Sequence, residues 1–466
     1  MTRVEKSVLY IVTDSMSLHS HLSPQLKSLV QAGWRVGVVC GGDQGLLAKI
    51  DLRGSDVYYV PIHREIQLIS DIVAQVLLIR LLWKVKPSIV NAGTAKGGLI
   101  GMIAAWVTRV PVRVYQLHGI RLETSTGWIR RLLLFTERTA CRCAHKVLCV
   151  SESVKRKASE LGFCPTSKLV SLGSGSCSGV ETADYALTAE RFVAALDLRQ
   201  QLRIPPDVPV IGFIGRLTRD KGIVELVESF SLITRQLPET HLILTGPFEE
   251  GDPLPEPTRE VIMTHPNIRH VPWAHDTRPH LQVIDVLVLP TYREGLPGVL
   301  LEAGAAEKPV VSTYATGVVD VIIDQVTGFL CPIGDSALLA ERTLKLLLDP
   351  ALARRMAQLA RLRVKAEFAR DVVLRNLRAF YEECLQNRPG RPEASSQARR
   401  SAVSSANKPE ETNQLFHGEV NATGCHKRDC EGGTSSGAAI RYRPDLSVSR
   451  DEPPGLRFRS GLSGAV

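Results

Sequence analysis

Short apolar, β-branched runs alternate with amphipathic stretches from Ser7 onward, and the alternation restarts at Pro209. Parallel strands need a crossover helix to bring the chain back, so this pattern points to repeated strand–helix–strand units. Strands are predicted at VLYIV (8–12), RVGVVCG (35–41), DVYYV (56–60), SIVNAG (88–93), VRVYQLHG (112–119), KVLCVS (146–151) and KLVSLGSG (168–175), with a helix over 21–33 closed by Gly33. The second series is predicted at PVIGFIG (209–215), HLILTG (241–246), IRHVPW (268–273), VLVLPT (286–291), PVVSTY (309–314) and GFLCPI (328–333). The expected fold class is therefore α/β, with two doubly wound, Rossmann-like domains over residues 1–178 and 207–366 and a linker over 179–206. Open α/β sheets bind ligands at the carboxyl ends of their strands, so the cleft between two facing sheets is the expected site.

Residues 367–386 read as a final amphipathic helix that closes the fold. Over 387–466 the composition shifts to Ser, Gly, Arg, Glu, Asn and Pro. Such a tail buries too little apolar surface to offset the entropy of ordering and is expected to be disordered. Within it, Cys425, His426 and Cys430 fall short of a metal site, and Asn421-Ala-Thr423 reads as an incidental match to a glycosylation acceptor.

The 466 residues exceed what one ordinary hydrophobic core supports. With 44% hydrophobic and 23% charged residues, the composition excludes fibrous and wholly disordered classes. The N-terminal apolar run breaks at Thr13 and Asp14, without the long hydrophobic region of a signal peptide, so a cytoplasmic location is expected. Ile72–Trp83 is interrupted by Gln75 and Arg80, falls short of a membrane span and is expected to be a buried helix. Ten cysteines without paired spacings suit reduced thiols rather than a disulfide framework. A net charge of +9 favours anionic partners, but no interleaving of aromatic and basic residues points to nucleic acid.

Three constellations carry candidate chemistry. In Glu294-Gly295-Leu296-Pro297-Gly298-Val-Leu-Leu-Glu302, Pro297 suits a first helical turn. Glu294 is then expected in a loop before a helix, beside unpaired backbone amides suited to phosphate or sugar oxygens, with Glu302 inside the helix. On spacing alone, a capped surface helix with two ordinary glutamates is the favoured reading. In Gly212-Phe-Ile-Gly215-Arg216-Leu-Thr-Arg-Asp-Lys221-Gly222, small residues permit close backbone approach where two cations turn toward the cleft. Fixed cations there stabilise negative charge growing on a departing diphosphate, while the plain alternative is a pair of solvated loop charges. Tyr115-Gln-Leu-His118-Gly119 places His118 at a strand end of the first domain, where it either faces the cleft or serves the fold.

Together these segments resemble retaining glycosyltransferases of family 4, which have the two-domain GT-B fold, and the resemblance covers roughly residues 6–386. EGLPGVLLEAGAAEKPVVSTYATGVVDVI resembles the family's E-x7-E segment and its sequel, and GRLTRDKG its diphosphate-binding motif. The resemblance implies a nucleotide-sugar donor, with Arg216 and Lys221 gripping its diphosphate, Gly215 and Gly295–Gly298 lining its site, and Glu302 accepting from the ribose hydroxyls. It also implies that Glu294 holds the transferred sugar, that His118 sits near sugar and acceptor, and that the leaving phosphate assists deprotonation without a dedicated protein base. No Asp-x-Asp pair occurs in the chain, and no metal or other cofactor is expected.

More narrowly, VNAGTAKGGLIGMIAAWVTRVPVRVYQLHGIR and LGSGSCSGV are similar to bacterial transferases that build capsule or exopolysaccharide units. That likeness implies a UDP-hexose or UDP-N-acetylhexosamine donor and a polyprenyl-diphosphate-linked acceptor at the inner membrane face. Trp128–Lys146, with five basic residues, is a candidate contact with anionic lipid. Two departures stand out: TDSMSLHSH replaces the glycine pair many members carry after the first strand, and Cys177-Ser178 replaces a polar run leading to an Asp. Alternative readings are a nucleotide-sugar 2-epimerase, against which the E-x7-E segment argues, and an inactive nucleotide-binding scaffold.

Overall fold

The computed structural model describes residues 5–13, 18, 22–42, 53–63, 67–175 and 178–388. The loop carrying Asp14 and Ser15, Cys177, and the tail from 389 with Asn421, Cys425, His426 and Cys430 lie outside the described residues.

All the predicted strands form. The first lobe holds β1 (Ser7–Val12), β2 (Arg35–Cys40), β3 (Ser55–Tyr59), β4 (Ile89–Gly93), β5 (Val112–Leu117), β6 (Lys146–Cys149) and β7 (Leu169–Ser171). Among the described residues they make one parallel sheet in the order β3-β2-β1-β4-β5-β6-β7. The second lobe holds β8 (Val210–Ile214), β9 (His241–Thr245), β10 (Ile268–Val271), β11 (Val286–Leu289), β12 (Val310–Thr313) and β13 (Phe329–Cys331). Its order is β10-β9-β8-β11-β12-β13, again parallel. The strand order reverses between β1 and β4 and between β8 and β11, and at such points an open α/β sheet leaves a crevice. Most strands stop one or more residues short of their predicted ends. Gly215, for example, follows β8 with φ 155° and marks the turn toward the cleft.

β1 is buried at every position, as expected of a central strand covered on both faces. One face of its sheet is covered by helices 68–85, 95–107 and 127–143. The other is covered by helix Ser23–Gln31 and, from the end of the chain, by helix Arg370–Gln386. The last helix therefore returns from the second lobe to the first. Val180 and Ala369 form a bridge where the two connections pass, with Val180 N donating to Phe368 O at 3.0 Å. Tyr381 anchors the returning helix: Asn91 Nδ2 donates to its hydroxyl at 2.5 Å, and the Tyr381 and Tyr10 hydroxyls lie 2.9 Å apart. Tyr10 in turn donates to Gln25 Oε1 at 2.9 Å, so Tyr381 donates to Tyr10 and the chain of bonds runs in one direction.

The helix expected to be buried around 72–83 is not. Helix Leu68–Val85 inserts Ala74, Leu78 and Leu82 into the core, whereas Ile69, Ile72, Val73, Val76, Leu77 and Trp83 face outward. A helix on a sheet buries one stripe, and this sequence is apolar around most of its circumference, so composition alone does not reveal which side is covered.

Candidate active site

β8 carries the first part of the site. Gly215 N donates to Thr245 O at 2.9 Å, and a Cβ on Gly246 would overlap the Gly215 carbonyl oxygen, so the ends of β8 and β9 pack backbone on backbone. The chain continues through Arg216 into a short turn, Arg219–Lys221, closed by Gly222 at φ 71°. A Cβ at Gly222 would overlap the Pro290 carbonyl oxygen, so a side chain is excluded there. The Asp220 carbonyl accepts from Tyr292 N at 2.9 Å and from Thr291 Oγ1 at 3.2 Å, which fixes the turn against the loop after β11.

That loop leads from β11 through Glu294 and Gly295 to Pro297, the N-cap of helix Gly298–Ala305. Glu294 N donates to Thr316 O at 3.0 Å. Gly295 touches the first lobe: its carbonyl accepts from Ser151 Oγ at 2.9 Å, and a Cβ on it would overlap the His118 carbonyl oxygen. His118 follows β5, and Gly93 at the end of β4 makes room for its ring, since a Cβ there would lie 2.7 Å from Nε2.

Between these segments lies a cavity of about 340 Å³, lined by Val12, Leu22, Thr94, His118 and Val150 of the first lobe and residues 294–298 of the second. That size falls in the range of small-molecule sites. Lys221 is hydrogen-bonded to Glu294 at its edge, and the two side chains are only 15% and 14% exposed. Beside them Arg293 Nη2 bonds Asp220 Oδ2 at 2.7 Å and Arg293 Nε bonds Thr124 Oγ1 of the first lobe at 2.9 Å. Burial pulls the Asp220 carboxyl upward, but the bond from Thr218 and the charges of Arg293, Lys221 and Arg216 outweigh it and hold the group below the usual carboxylate range.

The family described as "Glycosyl transferases group 1" matches residues 195–363, and "Glycosyl transferase 4-like domain" matches residues 19–175. The capsular polysaccharide biosynthesis glycosyltransferase CapM of Staphylococcus aureus is 33% identical over 334 residues, spanning 72% of this chain and 87% of CapM. The chain belongs to the group 1 glycosyl transferases. A second relative of this glycosyltransferase is the UDP-Gal:alpha-D-GlcNAc-diphosphoundecaprenol alpha-1,3-galactosyltransferase of Escherichia coli, 25% identical over 60% of this chain and 71% of the relative. Anabaena HepE, solved with UDP and glucose, matches with a TM-score of 0.68 at 18% identity over 81% of this chain and all of HepE. The two parallel-sheet lobes are those of the GT-B fold that the sequence resemblance implied.

In this glycosyltransferase the structure gathers His118, Glu294, Gly295, Leu296, Pro297 and Gly298 around one cavity, with Lys221 bonded to Glu294. Arg216 is turned to a different partner, Glu249, and Gly215 sits behind it at the end of β8. Glu302 does not line the cavity and is hydrogen-bonded to Tyr185 and Thr277; burial raises its carboxyl, and hydrogen bonding from those two side chains offsets part of the rise. Among the described residues no group of three or more His, Cys, Asp or Glu is placed to hold a metal ion.

Sequence reasoning passed over several residues that shape this site. Thr94 lines the cavity with φ 64°, a backbone region rarely occupied by a β-branched residue, and caps helix Ala95–Val107. Asp320 of the second lobe accepts from Ser153 N of the first, and Thr316 Oγ1 donates to Glu123 Oε1 at 2.5 Å. The strained threonine carries no local sequence signal, and pairs more than 160 residues apart are set only by how the lobes meet.

Proposed function

We propose that this glycosyltransferase moves a hexosyl or N-acetylhexosaminyl group from a UDP-sugar, with retention of configuration and without a catalytic metal, onto a polyprenyl-diphosphate-linked saccharide in capsule or exopolysaccharide assembly. The observation that carries the reading is the shielded Lys221–Glu294 pair at the edge of the cavity that His118 shares. A pair so removed from water adds little net stability, so its placement is better explained by ligand binding than by folding.

In this reading Lys221 and Arg216 turn from their carboxylate partners to the donor diphosphate and neutralise charge growing on the leaving group. Glu294 accepts from hydroxyls of the transferred sugar, and the backbone amides of Gly295, Leu296 and Gly298 face its oxygens. Glu302, beside Tyr185, takes the ribose hydroxyls. His118 orients sugar and acceptor from the opposite wall. The capsule transferase and the diphosphoundecaprenol-directed galactosyltransferase among the relatives support the acceptor class, and such an acceptor brings the enzyme to the inner membrane face.

A thermal-shift and hydrolysis screen of the purified chain against UDP, GDP, ADP and their sugars tests this. A nucleotide that binds only the folded state at 100 times its dissociation constant stabilises it by about 2.7 kcal/mol. Selective stabilisation by UDP with slow release of one sugar is expected; no response to any donor, by binding, transfer or hydrolysis, would sink the proposal.

A further inference from the structure

The first lobe carries an apolar surface that its own fold leaves uncovered. Helices 68–85, 95–107 and 127–143 lie side by side on one face of the sheet, the first two joined at their N-terminal ends by Asp71 and Lys96 at 2.6 Å. Outward from them project Ile72 (66% exposed), Trp83 (58%), Trp106 (58%), Trp128 (71%) and Phe135 (68%). Side chains this large and this exposed on three neighbouring helices make a patch, whereas scattered single ones need no explanation.

The charges around the patch share one sign. Every exposed charged side chain on the three helices and their caps is basic, among them Arg80, Lys84, Arg130 and Arg131, while Asp71 is paired and Glu137 is buried. Arg130 and Arg131 line a hollow with Trp128 and Gly127. An apolar surface whose own helices expose only cations is complementary to a bilayer whose headgroups are anionic. Among the described residues no helix is long and apolar enough to cross a membrane, so the fit is to its surface.

Crossover helices run back against parallel strands, so the N-terminal ends of these helices, with Ile72 and Trp128, sit at the edge of the sheet from which His118 faces the cavity. We propose that this three-helix face docks the enzyme on an anionic phospholipid bilayer, with the cleft beside the membrane surface, so that a lipid-linked acceptor reaches the cavity while its chain stays in the bilayer. The proposal rests on the lipid-linked acceptor reading and names the surface that serves it.

Vesicle co-sedimentation of the full chain is the test, with phosphatidylglycerol–phosphatidylcholine and pure phosphatidylcholine vesicles. Binding to the anionic vesicles that weakens with salt is expected. Ile72→Ser/Val76→Ser and Arg130→Gln/Arg131→Gln are each expected to lower partitioning by about tenfold or more. Donor hydrolysis in lipid-free buffer is expected to be unchanged in both variants, which separates docking from the glycosyl-transfer reading. Absence of binding by the wild-type chain, or equal binding by wild type and variants, overturns the proposal. So does a dimer that Ile72→Ser/Val76→Ser dissociates in sedimentation velocity without any vesicle binding, since a second copy would then be the occupant.

Discussion

Ser153 of the first lobe and Asp320 of the second meet across the cleft: the Ser153 amide donates to both carboxylate oxygens, at 3.1 and 3.2 Å, and its hydroxyl bonds the same group. The Ser153 hydroxyl also accepts from Gly317 N at 2.7 Å. Asp320 therefore sits at the N-terminus of helix Glu152–Glu160, where the helix dipole favours an anion, and holds the lobes together beside Gly295.

Replacing Asp320 by Asn keeps the shape and removes the charge. Loss of charge-assisted bonding and the dipole interaction costs about 1–2 kcal/mol, equivalent to roughly tenfold in the balance between closed and open lobes. A donor KM raised by about that factor, with a larger radius of gyration in X-ray scattering, is the expected result. Unchanged KM and scattering would show that the contact does not govern closure.

Two glycines three residues apart are expected to respond in opposite ways. Gly295→Ala forces a methyl group into the His118 carbonyl oxygen, and backbone has nowhere to retreat, so a loss of at least 2 kcal/mol in stability or of most activity is expected, of the order seen for overpacking. At Gly298 a Cβ meets nothing within 4 Å, and alanine at this helix start is expected to leave the melting temperature equal or higher. Thermal unfolding of the two variants, with donor hydrolysis, checks the contrast.

The strands, the two α/β domains and the cleft were legible in the sequence because central parallel strands are rich in β-branched residues and buried on both faces, as β1 is; the order of the strands was not. Lys221 and Glu294 were singled out from spacing and resemblance, and the structure places them in contact although 73 residues separate them. What sequence could not supply was orientation. It did not reveal which side of Ile72–Trp83 meets the sheet, that Arg216 turns to Glu249, or that Asp320 reaches Ser153. Those depend on contacts between segments far apart in the chain, within a lobe or between lobes, and no local pattern encodes them.

Tyr381→Phe interrupts the chain of bonds from Asn91 to Gln25 that fastens the returning helix to β1. Removing one hydroxyl from a buried network leaves its neighbours short of a partner, at a cost of about 1–3 kcal/mol. A lowered melting temperature is expected, and an unchanged one would mean that the network contributes nothing to holding this helix.

Glu137 gives the first lobe a pH dependence. Burial raises its carboxyl to about 7, with the Tyr115 hydroxyl, 2.7 Å away, pulling it partly back. A carboxyl raised in the folded state favours the protonated form, so stability is greatest at acid pH, falls as pH rises from the unfolded value near 4.3, and levels off above about 7. Glu137→Gln keeps an acceptor for Tyr115 and cannot ionise. Its melting temperature is expected to match the wild type at about pH 5 and exceed it at about pH 8, by an amount corresponding to at most about 3 kcal/mol. A variant less stable than wild type at the higher pH would refute the assignment.

The most direct test is the rate of sugar transfer from a UDP-sugar to a polyprenyl-diphosphate-linked saccharide, measured for the wild-type chain and Lys221→Ala side by side with their melting temperatures. The Lys221–Glu294 account predicts product with the wild type and a loss of about 10²–10³-fold in a variant that is destabilised but still folded at the assay temperature, the range for removing one group that stabilises transition-state charge. Transfer by a folded Lys221→Ala at the wild-type rate would contradict it.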